Sequence, residues 1–304
     1  MIVVVETRRL QLLIELSRHG SMRAVADELN ITTSTVSQQI AVLAREVGTD
    51  LIEPVGRRVR LTPAGRRLAE HAVTIVAAVE SARSDLASDT EPTGTLRIAG
   101  FATAVRGSLL PIAADLAHSH PNLRLLFAEH EPAEAVELLI ADGVDIALVY
   151  DYNLAPIALD PALESTPLWS AGWGLGVPTS TTSAEGGNAI EVFARYRAQD
   201  WIVNSRNTAD EQVARIIASM AGFEPRVTHR ADSLDLVQDL VAAGLGVGLL
   251  PRDMPTRSDV VVCPLADPAV MLRSYAVIRR GRSRWPPLAL VLTRLAAWKA
   301  GPIR

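Results

Sequence analysis

The apolar positions of this 304-residue chain follow two different periods. Up to about residue 86 they recur every three or four residues, which predicts helices. From residue 95 onward, short apolar runs of strand length alternate with helical stretches, which predicts an α/β sheet. The pattern changes at residues 89–94, "DTEPTG", which we interpret as a linker between structural units.

Three short helices are predicted before residue 50. "LQLLIELS" at 10–17 forms the first, which Gly20 ends, and Ser21 caps the second, "SMRAVADEL". Thr32 caps the third helix, which Gly48 ends. Helical spacing places the apolar residues of this third helix on one face, namely Val36, Ile40, Leu43 and Val47. Its opposite face is polar.

A hairpin and a long helix follow. Gly56 lies between two β-prone pieces in "LIEPVGRRVRLT" and predicts a turn surrounded by arginines. Pro63 begins a long helix with a narrow apolar seam formed by Leu68, Ala72, Ile75, Val79, Ala82 and Leu86. These residues step four, three, four, three and four, as in a heptad pattern. Such a helix needs a partner in water, so the seam predicts dimerisation, with packing on its own domain as the alternative.

The remainder predicts strands and helices in alternation, which we interpret as an α/β sheet with parallel strands. The predicted strands are 95–100, 123–130, 144–150, 163–169, 172–177, 201–204, 226–230, 247–251 and 272–278. The predicted helices are 109–121, 133–143, 209–221, 233–243 and 287–299.

Charge is distributed unevenly along the chain. Residues 1–67 hold ten arginines and seven acidic residues, whereas residues 91–304 hold nineteen basic and twenty-three acidic residues. A basic N-terminal part favours an anionic partner. The single cysteine, Cys263, excludes a disulfide framework and a cysteine-based zinc finger. We find no signal peptide, membrane helix, catalytic motif, metal site or cofactor motif, and therefore expect a cytoplasmic protein that is not an enzyme.

The first helices predict a helix-turn-helix, because a tight turn joins two short helices and the second is polar outside. Gln, Ser and Thr can pair with base edges in the major groove, and short hydroxyls also reach phosphates. The arginine hairpin would act as a wing on the DNA backbone. The alternative is the solvated polar face of an ordinary small bundle.

The chain resembles the LysR-type transcriptional regulators. The matching pieces are "GSMRAVADELNIT", "STVSQQIAVLAREVGTDLI", "GRRVRLTPAG", "LRIAG" at 96–100 and "VAAGLGVGLLP" at 241–251. The resemblance implies an α/β protein with an N-terminal winged helix-turn-helix (1–64), a linker helix for dimerisation (65–90) and a two-lobed effector domain similar to periplasmic binding proteins (91–304). Lobe 1 would comprise 91–165 and 270–304, and lobe 2 would comprise 166–269.

The family's recognition helix falls on residues 33–45. The resemblance, together with the cap and the wing, assigns DNA binding to Thr32, Thr33, Ser34, Ser37, Gln38, Gln39, Arg45, Arg57, Arg58 and Arg60. The chain departs from the family pattern at Ile52 and Pro54, where Phe and Arg are usual, and at Ala44, where Glu is common. The missing arginine at position 54 removes an expected phosphate contact.

The cleft between two lobes is a natural ligand site. Loops that enter helix N-termini offer free N–H groups, and small neighbours leave room for a small anion. We therefore predict effector contacts from Ala102, Thr103, Ala104, Ser205, Asn207, Thr208 and Ser233, with ordinary helix capping as the alternative for each. Trp169 and Trp173 would either stack on an aromatic effector or pack within strands.

These expectations describe a regulator whose DNA binding responds to a small metabolite of unknown identity. Its partners would be double-stranded DNA, the effector, RNA polymerase and further copies of the same chain in a homodimer or homotetramer. No membrane and no cofactor is expected. The alternatives are a regulator that answers to a protein partner, a solute-binding protein without a DNA role, and an enzyme on the two-lobed scaffold.

Overall fold

The computed structural model describes residues 5–55, 58–86, 91–181 and 187–298. At positions 55, 58, 77, 80, 81 and 83–86 it describes the backbone alone. The described residues form an N-terminal helical part, which we call the head, and a mixed α/β part built on one large sheet.

The head begins with the three predicted helices, α1 (Thr7–His19), α2 (Met22–Glu28) and α3 (Thr33–Val47). Gly20 and Gly48 end α1 and α3 with φ of 62° and 72°, the left-handed region in which glycine carries no Cβ penalty. Backbone N–H groups of α2 and α3 donate to the Ser21 and Thr32 hydroxyls. The predicted helices and caps are confirmed.

A hairpin and a long helix complete the head. Strands β1 (Ile52–Val55) and β2 (Arg58–Leu61) pair antiparallel, and α4 (Pro63–Leu86) follows. Gly65 lies so close to the Leu51 carbonyl that a Cβ would collide with it, which fixes α4 against the hairpin. The core of the head is shared by α1, α2, α3 and α4, with Leu13, Val25, Val36, Ile40, Leu43 and Ala72 fully buried.

The predicted seam of α4 divides into two parts. Ala72 is fully buried in the core of the head, and Leu68 packs partly against that core. Ile75 is 44% exposed and Ala82 is exposed, whereas Val79 is half-buried. The side chain of Leu86 lies outside the described residues. The first turns of the seam therefore pack within one protomer, and the later turns remain available to a partner.

The α/β part contains nine strands in one sheet. In chain order they are β3 (Gly94–Gly100), β4 (Leu123–Glu129), β5 (Ile146–Tyr152), β6 (Leu163–Pro178), β7 (Asp200–Val203), β8 (Arg226–Arg230), β9 (Val247–Pro251), β10 (Val260–Pro264) and β11 (Val270–Arg279). Across the sheet the order is β4-β3-β5-β11-β6-β9-β7-β8, and β10 pairs with β6.

Helices α5 (Ala102–Ala104), α6 (Leu110–Ser119), α7 (Pro132–Ile140), α8 (Ala189–Arg195), α9 (Ala209–Met220), α10 (Leu234–Ala242) and α11 (Pro286–Ala297) accompany the sheet. A π-helical turn at 105–109 joins α5 to α6. A short 3-10 turn follows β6 at 179–181.

Two parallel groups of strands define the lobes. Lobe 1 is built on β3, β4 and β5, and lobe 2 on β7, β8 and β9. The long antiparallel strands β6 and β11 join them. This overall architecture confirms the predicted fold class, while the domain boundaries drawn from the sequence remain predictions.

The local sequence predictions differ from the structure in several places. The segment after β3 that was predicted as a loop is helical, in α5 and the π-helical turn. The two strands predicted at 163–169 and 172–177 form the single strand β6, because β11 pairs along its first part and β9 and β10 along its second. The antiparallel strands β6, β10 and β11 make the sheet mixed rather than parallel. Helix α8 and strand β10 were not predicted, and each is stabilised by contacts distant in the sequence.

The head touches lobe 1 through an ionic cluster. The Arg18 guanidinium of α1 donates to the Asp142 carboxylate, which follows α7. Asp142 also accepts hydrogen bonds from Arg279 and Arg282 and is buried. The apolar cores of the head and of the α/β part are separate clusters.

Candidate functional site

The outer face of α3 presents small hydroxyl and amide groups to solvent. Thr33, Ser34, Ser37 and Gln38 are exposed, as is Arg45 in the last turn of the helix. On the opposite face of α3, Val36, Ile40 and Leu43 are fully buried and Val47 is half-buried. The helix can therefore place its polar face in a DNA groove while its apolar side chains stay packed against the head.

Several predicted DNA contacts already make hydrogen bonds within the head, among them Thr32 and Gln39. The Thr32 hydroxyl accepts from the Thr35 backbone N–H at 3.1 Å and lies 2.8 Å from the Ser34 and Thr35 hydroxyls. The Gln39 side-chain oxygen accepts from Arg9 Nε at 3.0 Å, and Arg9 also pairs with Glu46. Thr32 therefore starts the helix, and Gln39 is oriented by α1.

Arg60 lies on strand β2 of the hairpin. Arg60 Nε and Nη2 donate to Glu53 Oε1 at 2.9 and 2.6 Å, and the arginine side chain remains mostly exposed. Arg57 and the side chain of Arg58 lie outside the described residues. Pro54 faces Val59 across the hairpin. The wing contacts of Arg57 and Arg58 stay predictions.

A cavity of about 610 Å³ lies between the lobes. Lobe 1 and the segment after α11 contribute Phe101, Ala102, Thr103, Arg106, Gly107, Pro111, Glu129, Glu131, Tyr150 and Trp298. The crossing strands contribute Trp169, Ala171, Trp173 and Leu272, and lobe 2 contributes Asn204, Asp232, Ser233, Leu234, Asp235, Pro251 and Met254. The volume falls in the range typical of sites for small organic ligands.

The predicted effector residues divide between the cavity wall and its surroundings. Ala102, Thr103 and Ser233 line the cavity. Ala104 is fully buried, and the lining residues do not include it. Ser205, Asn207 and Thr208 are likewise absent from the wall and bond to neighbouring side chains.

The sequence analysis missed the carboxylates and most of the aromatic residues of the wall. Glu131 is 5% exposed, and its Oε2 accepts from the Tyr150 hydroxyl at 3.0 Å and from the Asn207 amide. The Asn207 amide also donates to the Tyr150 oxygen, at 2.7 Å. Burial raises the pKa of Glu131 above its usual value. Asn207 thereby ties lobe 2 to a buried acid of lobe 1.

A second buried acid lies behind the wall. Asp210 on α9 accepts a 2.7 Å hydrogen bond from the Tyr152 hydroxyl of β5. The Asn204 amide lies 3.0 Å from both Asp210 carboxyl oxygens when its nitrogen faces them. Burial raises the pKa of Asp210 to about 7, and the nearby charges of Glu131 and Asp232 add to the shift. Asp210 therefore titrates near neutral pH beside a residue of the wall.

Arg206 bridges the cleft. Its guanidinium lies 3.2 Å from Asp232 in lobe 2 and 3.3 and 3.4 Å from Glu134 and Glu129 in lobe 1. Burial raises the pKa of Asp232, but hydrogen bonds from Ser205 and Arg206 outweigh that effect and leave it below the usual value. Arg206 and Asn207 therefore hold the lobes together on one side of the cavity.

Aromatic rings form the other walls. Trp169 Nε1 donates to Ser108 Oγ at 3.2 Å, and Trp298 Nε1 donates to the Gly107 carbonyl at 2.9 Å. Phe101 packs edge-on against Tyr150 with ring centroids 4.7 Å apart. Gly107 and Ser108 belong to the π-helical turn, a distortion that often marks functional sites. The turn thus anchors two of the tryptophans.

The described residues contain no group of three or more His, Cys, Asp or Glu side chains placed to hold a metal ion. Among the helices that the structure describes, none combines the length and apolar character required to cross a membrane.

A helix-turn-helix head joined to a two-lobed domain with a central cavity defines a DNA-binding regulator with a ligand-binding domain. The family model for the LysR substrate binding domain matches residues 89–300, and that for the bacterial regulatory helix-turn-helix protein of the lysR family matches residues 7–66. The chain therefore belongs to the LysR family of DNA-binding transcriptional regulators, and the resemblance stated from its motifs is confirmed.

Known relatives extend along nearly the whole chain. The transcriptional dual regulator GltC of Bacillus subtilis is 26% identical over 291 residues, covering 93% of this chain and 94% of GltC. A probable hydrogen peroxide-inducible genes activator of Mycobacterium avium is 27% identical, covering 85% of this chain and 83% of the relative.

Solved structures share the fold. A full-length OxyR variant from Pseudomonas aeruginosa superposes with a TM-score of 0.76 at 16% identity, covering 99% of this chain and 97% of the other. Full-length CbnR in complex with its target DNA superposes with a TM-score of 0.53 at 20% identity, covering 96% and 99%. At these identities the likeness concerns the fold alone.

Proposed function

We propose that this chain reads a specific duplex site with the exposed face of α3. The observation that carries the proposal is the state of Ser37 and Gln38, which are exposed and, within the described residues, make no side-chain hydrogen bond. Their donors and acceptors are free to meet base edges, and the buried face of α3 fixes their direction. The net charge of +3 on residues 1–67 supports binding to a polyanion.

The later turns of α4 support assembly as a dimer or tetramer. Ile75 and Ala82 are exposed and Val79 is half-buried, so an apolar stripe remains after Ala72 has packed within the head. A second copy of α4 would cover this stripe by heptad packing. Two heads would then address two half-sites of an imperfect dyad.

The cavity between the lobes supports control by a small molecule. Such a ligand changes the equilibrium between lobe arrangements only when it binds one arrangement more tightly than another. Arg206 and Asn207 bond across the cleft, so any change of lobe orientation must break or rebuild these contacts. We propose that the ligand biases this choice and thereby changes the spacing of the heads and the access of RNA polymerase to the promoter.

Binding, rather than catalysis, is the activity that we propose for the α/β part. The regulator would bind DNA and its effector in the cytoplasm, the compartment expected from the sequence. A regulator that answers to a protein partner would instead leave the cavity unused.

The decisive experiment is selection of genomic fragments by the full-length protein in the presence of bulk competitor DNA, at several salt concentrations. We expect preference for a small set of fragments, a steep decrease of affinity with salt, and complexes containing two or four chains by sedimentation. Equal binding to every fragment, or complexes with a single chain, would contradict the proposal.

A further inference from the structure

The walls of the cavity carry an excess of negative charge. Four carboxylates line it, from Glu129, Glu131, Asp232 and Asp235, whereas Arg106 is the single basic lining residue of the described chain. Arg206 lies beside the wall, and its guanidinium is shared among Asp232, Glu134 and Glu129. The space between the lobes is therefore surrounded by more acids than the neighbouring arginines balance.

Glu131 is the most buried of these acids. It is 5% exposed, and its described ion pair is a long one, 3.9 Å from Oε1 to the Arg206 guanidinium, which lies closer to Asp232, Glu134 and Glu129. Its hydrogen-bond donors are neutral: the Tyr150 hydroxyl, the Asn207 amide and, in the capping box of α7, the Glu134 backbone N–H. A buried carboxylate whose ion pair is long and shared with other acids is costly, and a positive group in the cavity would offset that cost. The buried Asp210 behind the same wall has no described ion pair.

The aromatic lining suits the same kind of ligand. The chain has five tryptophans, and three of them, Trp169, Trp173 and Trp298, line the cavity together with Phe101 and Tyr150. The faces of aromatic rings attract cations, most strongly those of tryptophan, and they also pack against apolar or aromatic bodies. Rings and carboxylates around one space form a recognisable arrangement for organic amines.

We infer that the effector is a small organic cation, an amine with an apolar or aromatic body. This inference rests on the proposed role of the cavity as the effector site and names its ligand class. The ammonium group lies near Glu131, and the body lies among the tryptophans. A small anion, which the hydroxyl-bearing loops suggested, would have to meet four carboxylates with the exposed Arg106 as its counter-charge.

Three probes of nearly equal shape test the sign of the charge. They are 2-phenylethylamine, 2-phenylethanol and 3-phenylpropanoate, titrated into the full-length protein with tryptophan fluorescence and calorimetry as readouts. We expect the amine to bind about tenfold more tightly than the alcohol, and the carboxylate to bind most weakly, because only the amine gains attraction to the carboxylates.

Variants locate the effect. Glu131→Gln keeps an acceptor for Tyr150 and Asn207 but removes the charge, so we expect about tenfold weaker amine binding and unchanged alcohol binding. Glu137→Gln is the matched control, since Glu137 lies on the same helix α7, is exposed and is not part of the wall. If Glu131→Gln does not fold, the double variant Glu129→Gln with Asp235→Asn replaces it, with an expected loss of about threefold.

The outcomes separate the inference from the proposed function. Three results would overturn the inference. The carboxylate could bind as tightly as the amine or more tightly, the charge variants could keep their full affinity for the amine, or none of the probes could bind at millimolar concentration. Fragment selection on the same protein preparation tests the DNA role independently. If the protein still selects DNA fragments but prefers the carboxylate probe, only the inferred ligand class is wrong. If it binds the amine but selects no DNA fragments, only the proposed DNA role is wrong.

Discussion

The exposed polar face of α3 and the cavity between the lobes differ in how many segments of the chain form them. The face comes from one 15-residue helix, α3, whose exposed side chains make few contacts with the rest of the chain. The cavity comes from many separate segments, and the lining side chains Glu131 and Tyr150 of lobe 1 are hydrogen-bonded to Asn207 of lobe 2, which lies beside the wall. A partner of the face meets groups that are already free, whereas a ligand of the cavity must fit between groups that already bind each other.

This difference predicts different sensitivities. Substitutions on the outer face of α3 should change recognition with little effect on stability, because exposed positions contribute little to folding. Substitutions in the cavity network should change stability, protonation and ligand binding together, because each buried polar group depends on its partners.

The largest effect should come from a substitution that creates a cavity in one core and leaves the other core unchanged. Ile40→Ala in α3 and Ile217→Ala in α9 both truncate fully buried isoleucines, in the separate cores of the head and the α/β part. Each should lower the free energy of unfolding by about 2–5 kcal/mol. We expect Ile40→Ala to weaken DNA binding and spare ligand binding, and Ile217→Ala to do the reverse.

Calorimetric unfolding, with both binding assays, measures this pair. The two variants serve as each other's control. A single transition that both substitutions shift equally would show that the two cores unfold as one unit, and the comparison between the regions would then fail.

The next effect concerns Asp210, whose folded pKa of about 7 lies above its usual 3.8. Because the folded state retains the proton more strongly than the unfolded chain, Asp210 contributes stability below its unfolded pKa and loses it as pH rises through about 7. Asp210→Asn removes this titration. The stability of the variant relative to the unmodified chain should therefore rise by about 2 kcal/mol between roughly pH 5 and 7.

Urea unfolding at several pH values measures this change. Asp253→Asn, at an exposed position of lobe 2, is the matched control for the loss of one carboxylate. A stability difference for Asp210→Asn that does not vary with pH would mean that Asp210 is ionised throughout this range.

The smallest effect concerns recognition alone. Gln38→Ala should cost about 1–2 kcal/mol on the preferred DNA sequence and almost nothing on bulk DNA, because an amide that pairs with a base edge discriminates between bases. The stability of the chain should remain within about 0.5 kcal/mol. Competitive binding measurements on the preferred and altered sites check this, with the exposed Thr74→Ala on α4 as control. Equal weakening on all sequences would make Gln38 a contact to the DNA backbone.

The head was predictable because its information is local. The caps at Ser21 and Thr32, the left-handed glycines at 20 and 48 and the apolar positions of α3 all occur where the sequence places them. Each of these features depends on residues within one or two turns of the chain, so the residue types alone indicate them.

The cavity was only partly predictable because its walls meet through the sheet. Thr103 and Ser233 were expected at the site, whereas Glu131, Asp232 and Trp298 lie far apart in the sequence and carry no motif that links them. Tryptophans 169 and 173 were left open between ligand stacking and strand packing, and the structure places both in the wall. The single strand β6 likewise arises from pairing with distant strands.

The sequence by itself determined the helix-turn-helix head, the alternation of strands and helices and the family, because periodicity, caps and turn residues act over short distances. The tertiary structure alone decided that Ala72 of α4 packs into the core of its own head. It also decided that Asn207 bonds to Glu131 across the cleft and that acids and tryptophans surround one cavity. Burial and the meeting of distant side chains set these properties, and both depend on how the whole chain packs.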